Sequence, residues 1–341
     1  MEREPPIPSP PGSAPIRHVG VCLDRSPMAD RVLPHAVALA RAFGARLTVL
    51  HALEPPPNQD EGTPIDPLEW EMRRAEAQRH LAALEAEHGE PGLQLASELL
   101  EGRPAEEIRD WVRSHGVDLT VLCSHGASGW TEWSLASTAR KILEGVSGSM
   151  LLVPAWSVQA PVKRRVSYRR ILVPLDGSPR AESALPIALR LARSHDAELL
   201  LLHVVVRPER SCPGPLDEED RDLEQRLVDR NSRAAELYLS GLRDHVAREG
   251  LRVRILVRVD GDIRGEILRR VAEEQVDLVV VSGHGRGARA ELPFGSVVSF
   301  LLEHATAPVL IVRERNAPAA LSPRPRSRSR GGVRLPPLAT P

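Results

Sequence analysis

The sequence predicts an α/β protein made of two tandem doubly wound parallel sheets, each of about five strands with helices on both faces. Three observations predict it. Strand-like and helix-like segments alternate from residue 16 to the low 310s. Several strands, such as LLLLHVVV and LVVV, are continuously apolar, the pattern of parallel strands covered on both faces. The whole series occurs twice, in register.

The register can be counted. Asp24 and Asp176 differ by 176 − 24 = 152, as do His51 and His203. Gly102 and Gly261 differ by 261 − 102 = 159, as do Asp118 and Asp277, and Gly126 and Gly285. The offset is constant on either side of a seven-residue expansion (159 − 152) in the long-helix region, so the chain is a duplication.

The elements follow in order. Residues 1–15 are Pro/Ser-rich and too poor in apolar groups to pack, which predicts a disordered N-terminus. The first domain, 16–155, opens with the strand IRHVGVCLD, a helix from about Pro27 to Phe43, and the strand Arg46–His51. A long helix from Pro67 to His88 follows, with Leu68, Met72 and Ala75 on one face, then a strand near Leu93–Leu99 and a helix near Ala105–Ser114. The domain closes with a strand, a loop, a helix and the strand SMLLV over 117–153. Residues 156–168 read as a basic linker.

The second domain, 169–314, repeats the series. RRILVPLDGS is its first strand and turn, a helix runs from Pro179 to about His195, and AELLLLHVVV is the second strand. A helix from about Asp217 to Arg248 carries the apolar stripe Ala235, Leu239, Leu242 and Val246. LRVRILVRV, a helix over 263–274 and the stretch 276–312 complete it. A strand order of 3-2-1-4-5 in each half would put Cys22 and Cys123 near the ends of neighbouring strands, and the last strands, SMLLV and PVLIV, are both apolar. Residues 315–341 read as a disordered basic tail: from Arg313 onward seven arginines face one glutamate, a local charge of +6, against −7 for residues 1–312.

Composition narrows the function classes. A net charge of −1 gives no global case for nucleic acid or an anionic membrane. Three cysteines, Cys22, Cys123 and Cys212, are too few and scattered for a disulfide framework or a zinc site. No apolar run reaches membrane-spanning length and residues 1–15 hold no signal-peptide core, which predicts a cytoplasmic protein.

In doubly wound sheets ligands bind beyond the carboxyl ends of the strands, where the strand order reverses. After the first strand of the second half comes Asp176-Gly177-Ser178, a carboxylate able to accept from a ribose hydroxyl or to cap the next helix. After the second comes His203-Val204, whose backbone groups suit a flat heterocycle; His203 itself reads as a residue locking two strand ends. After the fourth comes Ser282-Gly283-His284-Gly285, then nine residues and Gly295-Ser296 opening a helix. Glycine lets backbone approach phosphate, and a helix N-terminus with a hydroxyl favours an anion. The plain alternative for this segment is a Gly-rich turn with Ser296 as a simple cap.

On these residues both halves resemble universal stress protein (UspA-type) domains, and the resemblance covers nearly everything from about 16 to 314. The nucleotide-binding branch of that family carries an Asp after the first strand and a G-x2-G-x9-G-[ST] loop. Asp176, Gly285, Gly295 and Ser296 match that pattern, Val204 falls where the family's adenine-contacting backbone lies, and Ser282 stands in place of the first glycine. The resemblance implies an adenine nucleotide, ATP with or without Mg²⁺, held by Asp176, Val204, Ser282, Gly283, Gly285, Gly295 and Ser296. It implies binding rather than turnover, in a stress-response regulatory protein that pairs its two domains internally through their last strands and can form homodimers. In the first half Asp24 and Gly126 match, but Cys123 and Ala136 replace two glycines and Trp130 and Trp133 load the loop with bulk, so that copy reads as structural. The readings that compete are an interaction protein that binds no nucleotide, and a slow ATPase.

Other motifs are set aside. Gly283 to Ala288 satisfies G-x-G-x-x-[GA], but after the fourth strand of its unit rather than the first, without a partner acid. No G-x-x-x-x-G-K-[ST] or G-x-S-x-G occurs. His125 and His284 have no paired acid and nucleophile, and no catalytic residue or metal ligand is assigned. Cys22 and Cys123 read as buried inert thiols.

Overall fold

Side chains alternate across a strand, so a strand apolar at every position needs cover on both faces. The computed structural model shows how the chain supplies it. The structure describes residues 15–24, 29–55, 66–124, 137–155, 165–208, 218–285 and 293–313. The Pro/Ser-rich N-terminus up to residue 14, most of the linker (156–164), Cys212 and the tail from residue 314 lie outside the described residues.

The first half runs β1 (His18–Cys22), α1 (Ala29–Phe43), β2 (Arg46–Leu53), α2 (Pro67–His88), β3 (Leu95–Glu101), α3 (Pro104–Ser114), β4 (Leu119–Cys123), α4 (Ser137–Gly145) and β5 (Ser149–Val153). The second runs β6 (Arg170–Pro174), α5 (Pro179–Glu182), α6 (Leu185–His195), β7 (Glu198–Val206), α7 (Glu218–Ala247), β8 (Val253–Asp260), α8 (Ile263–Glu273), β9 (Leu278–Ser282), α9 (Ser296–His304) and β10 (Val309–Val312). All ten strands form one sheet, ordered β3-β2-β1-β4-β5-β10-β9-β6-β7-β8. Each half therefore has the order 3-2-1-4-5, and the two meet where β10 runs antiparallel to β5, Leu310 opposite Leu151.

Alternation along this seam splits the core between the two faces. Leu151 and Leu310 point to one apolar group, with side chains of α1, α2, α6 and α7. Met150, Leu152, Val309 and Ile311 point to the other, with α3, α4, α8 and α9. Each core group thus runs through both halves. The duplication is visible in hydrogen bonds too. Asp118 Oδ2 accepts from the backbone of Arg17 (2.7 Å) and His18 (2.9 Å), and Asp277 Oδ2 likewise from Arg169 (2.7 Å) and Arg170 (3.0 Å).

Three expectations are corrected. The buried stripe of α2 is Ala77, Leu81 and Leu84, while Leu68 and Met72 are 68% and 64% exposed. Only the later turns of that 22-residue helix lie on the sheet, and its first turns extend past the core. The helix expected from Pro179 to His195 is broken at Ser183–Ala184. Pro186 has no N–H to bond the preceding turn, so a new helix starts at Leu185. Tyr168, assigned by sequence to the linker, is fully buried, hydrogen-bonded to His35 of α1 (2.9 Å) and edge-on to His195 of α6.

A cleft at the second switch point

In the second half the strand order reverses between β6 and β9, and the ends of those strands open a cleft of about 820 Å³. Asp176, His203, Val204, Ser282, Gly285, Gly295 and Ser296 all line it. Gly283, the remaining candidate, sits behind it, its N–H donating to Val312 O (2.8 Å).

Asp176 follows β6 in a tight turn. Gly177 takes φ +74°, a conformation open to glycine at no steric cost. That turn brings Ser178 back so that its N–H (2.9 Å) and hydroxyl (2.6 Å) both donate to Asp176 Oδ1. The cap of the next helix is Ser178, whose Oγ accepts from Ala181 N–H (3.2 Å). The capping reading of Asp176 is corrected accordingly: the aspartate braces the capping serine. Its Oδ2 faces Gly285, 2.7 Å from where a Cβ at that residue would stand.

The reach of β7 exposes Val204. β6 pairs with β7 only as far as Pro174 opposite Leu202, whereas β8 continues beside it to Asp260 opposite Val206. Residues 203–206 therefore form an overhang, and Val204, Ile263 and Ile267 make one side of the cleft apolar. His51 of the first half has the locking role read for its repeat mate, donating through Nδ1 to Leu23 O (3.0 Å). His203 lines the cleft and faces the Tyr238 ring edge-on at 6.5 Å.

At the other end β9 stops at Ser282, whose hydroxyl donates to His284 O (3.1 Å) and accepts from Ser183 Oγ (3.4 Å). Ser282 does not adopt positive φ, so the backbone makes no demand for glycine there. Gly295 N–H donates to Gly283 O (3.0 Å) and closes the loop. Gly295 then caps α9 with no side-chain hydrogen bond, so the first amides of that helix open on the cleft beside Ser296. Its φ is −71°, and an added Cβ would meet no atom of the described residues closer than 3.8 Å. Among the described residues, neither backbone strain nor packing demands a glycine at 295.

The first half differs. Cys123 ends β4, and Ser124 stands where the second half has Gly283, its Oγ accepting from Ala155 N–H (2.9 Å). Gly126, Trp130, Trp133 and Ala136 lie outside the described residues, as do residues 286–288 of the 283–288 motif; that motif does follow the fourth strand of its half. Cys22 packs in one core group and Cys123 in the other, so they face opposite sides of the sheet.

Sequence reasoning missed α7 and α8 as walls. Asn231, Ala234, Ala235 and Tyr238 line the cleft from α7, and Tyr238 donates to Glu182 Oε1 of α5 (2.9 Å). Burial first, then the Glu182 hydrogen bond and nearby negative charge, push the Tyr238 phenol well above its ordinary range. Its signal was available: one of only two tyrosines, three positions past Ala235 on the apolar stripe. Among the described residues there is no cluster of three metal-ligating side chains, and no helix is long and apolar enough to cross a membrane.

A duplicated, doubly wound α/β chain, fused through its last strands and carrying an open helix N-terminus in a switch-point cleft, defines the class. The universal stress protein family model matches residues 15–154 and again 167–313, and the chain belongs to that family. It is 27% identical over 303 residues to a universal stress protein of Mycolicibacterium smegmatis, across 86% of this chain and 96% of that one. The solved structure of a universal stress protein from Archaeoglobus fulgidus shares the fold at 18% identity, with a TM-score of 0.58 over 87% of this chain and 98% of its own. A functionally unknown protein from Pseudomonas aeruginosa does so at 15%, with a TM-score of 0.59 over 88% and 93%.

Proposed function

We propose that the second half binds an adenine nucleotide, ATP with or without Mg²⁺, and that the chain is a nucleotide-responsive regulatory protein of the stress response. The observation that carries this reading is Gly295. It needs no special φ and has room for a Cβ among its described neighbours, yet it lines the cleft beside the open amides of α9. A glycine that none of the described residues requires supports a ligand that comes close to it, and helix amides favour an anionic one.

The remaining roles follow from position. Asp176, its Oδ1 already held by Ser178, offers its carboxylate to a ribose hydroxyl. The overhanging backbone at Val204 and the apolar wall of Ile263 and Ile267 suit a base. Gly285 and Gly295 flank the phosphates, with Ser296 as a hydroxyl donor and Ser282 and Gly283 shaping the loop behind. Asp176 is the only carboxylate among the described lining residues, so binding rather than hydrolysis is the output we assign. The first half serves as the structural partner through β5.

Native mass spectrometry of freshly purified protein, with melting curves in millimolar ATP, tests the reading. Retained nucleotide or a raised melting temperature, abolished by Gly295→Val, is expected. No retained nucleotide and an unmoved melting temperature would refute it and favour an interaction protein that binds no nucleotide.

A further inference from the structure

By sequence Arg313 begins a solvated basic tail; the structure instead seats it in the fold, at the junction of three parts. Its backbone N–H donates to Ser149 Oγ (3.4 Å) and its Nη1 to Val146 O (2.9 Å), both in the first half. Its Nη2 donates to Pro293 O (2.8 Å), and the guanidinium lies 4.4 Å over the Phe294 ring, immediately before Gly295. Its Cγ lies beside Gly283, 3.3 Å from where a Cβ there would stand. One side chain therefore grips the near end of the glycine loop, the far end of the same loop, and the other half of the molecule.

The chemistry fits arginine and not lysine. A planar guanidinium can donate to two carbonyls in different directions while its face covers an aromatic ring; an ammonium cannot do all three. Burial lowers the pKa of this side chain, and two carbonyls and a ring face replace the water it has lost. The arrangement is one-sided. With the constant offset, 313 − 159 = 154, the matching residue is Pro154, which has no side-chain donor.

We propose that Arg313 is a positioning residue: it holds the Gly295-Ser296 entry of α9 in place for the phosphate end of the ligand and ties that entry to the first half. The inference rests on the nucleotide reading for the identity of the ligand. By linkage, phosphate in the cleft tightens the seam at Val146–Ser149, and a loosened seam weakens phosphate binding.

The test titrates ATP and adenosine separately into wild type, Arg313→Gln and Arg313→Lys. Losing charge-assisted hydrogen bonds is expected to weaken ATP by about tenfold while adenosine, which has no anion to place, changes less than about twofold. Lysine should leave most of the loss in place. Equal weakening of both ligands, unchanged ATP affinity, or full rescue by lysine would overturn the proposal. Amide hydrogen exchange without ligand gives a second readout. In Arg313→Gln, residues 293–299 and 146–150 should both exchange faster, whereas acceleration of only one segment, or of neither, refutes the coupling. If wild type binds no ATP, the functional reading fails while the exchange result still decides the coupling. Should Arg313→Gln not fold, Phe294→Leu removes the ring face under the guanidinium while keeping an apolar side chain in the core, and is expected to give the same pattern at about threefold. An unchanged ATP-to-adenosine ratio and unchanged exchange in that variant would overturn the proposal as well.

Discussion

The Asp176 carboxylate stands 2.7 Å from the place that a Cβ on residue 285 would occupy. Real Cβ atoms do not come that close, and Asp176 has little room to yield because Ser178 donates to its Oδ1 twice. Gly285→Ala is therefore expected to turn Oδ2 away from the cleft without unfolding the chain. Isothermal titration should show ATP weakened by at least about tenfold, the scale of one lost hydrogen bond to a charged group. A folded variant by circular dichroism that keeps wild-type affinity would show that Asp176 does not hold the ligand.

Ser282 replaces the first glycine of the family loop, and the structure accommodates it. Its backbone is not left-handed, and its hydroxyl bridges Ser183 and His284 O. Restoring the family residue should gain little. Ser282→Gly is expected to leave nucleotide affinity within about threefold and to lower stability by about 0.5–1 kcal/mol through backbone entropy and the lost bridge. Chemical denaturation and titration on the same preparations measure both. A gain of tenfold or more in affinity would mean that the serine obstructs the site.

Much of the fold was legible in the sequence, because continuously apolar strands and a constant repeat offset are local signals. The alternation of elements and the duplication follow from them, whereas the pairing of SMLLV with PVLIV was legible only through the family resemblance. The face of α2 was not legible. Leu68, Met72 and Ala75 share a face as regularly as Ala77, Leu81 and Leu84 do, and only the sheet beneath decides which stripe is covered. The same limit hid Tyr238, since where a 30-residue helix crosses a strand end is a tertiary fact. Ser282 was legible as a departure from a pattern, but its tolerance depended on a backbone angle that sequence does not carry. Arg313 read as tail because its partners are backbone carbonyls, which leave no pattern in a sequence.

The thiols at the ends of β1 and β4 make a sharp negative prediction. Those strands pair with Val21 opposite Val121, so Cys22 and Cys123 fall on opposite faces of the sheet. Treatment with diamide should give no Cys22–Cys123 disulfide in peptide mass maps of the folded protein. Burial also pushes the Cys22 thiol up to about 12. Its alkylation at pH 8 should run on the order of a thousandfold slower than that of an ordinary thiol. Rapid labelling of Cys22 in folded protein would show that β1 opens far more readily than its burial allows.

Stability should have a neutral plateau bounded by histidines on the acid side and by a thiol and two phenols on the alkaline side. His18 and His195 have pKa values lowered from 6.5, in both cases chiefly by burial. The unfolded chain takes up those protons first, so their contribution is complete above 6.5 and is lost as pH falls below it. Tyr168 and Tyr238 are shifted the other way, raised from 10.0, chiefly by burial, with Asp277 adding to the first and Glu182 to the second. The unfolded chain releases those protons first, so their contribution is complete below 10.0 and is lost as pH rises beyond it. Melting temperature against pH should therefore be flat between about 7 and 9 and fall on either side, the buried Cys22 thiol adding its own alkaline loss above 9.0. Because the chain has only two tyrosines, absorbance at the phenolate band reads the alkaline limb directly. Phenolate should appear together with unfolding, and a titration centred near 10.0 in protein that circular dichroism shows to be folded would place both rings in water.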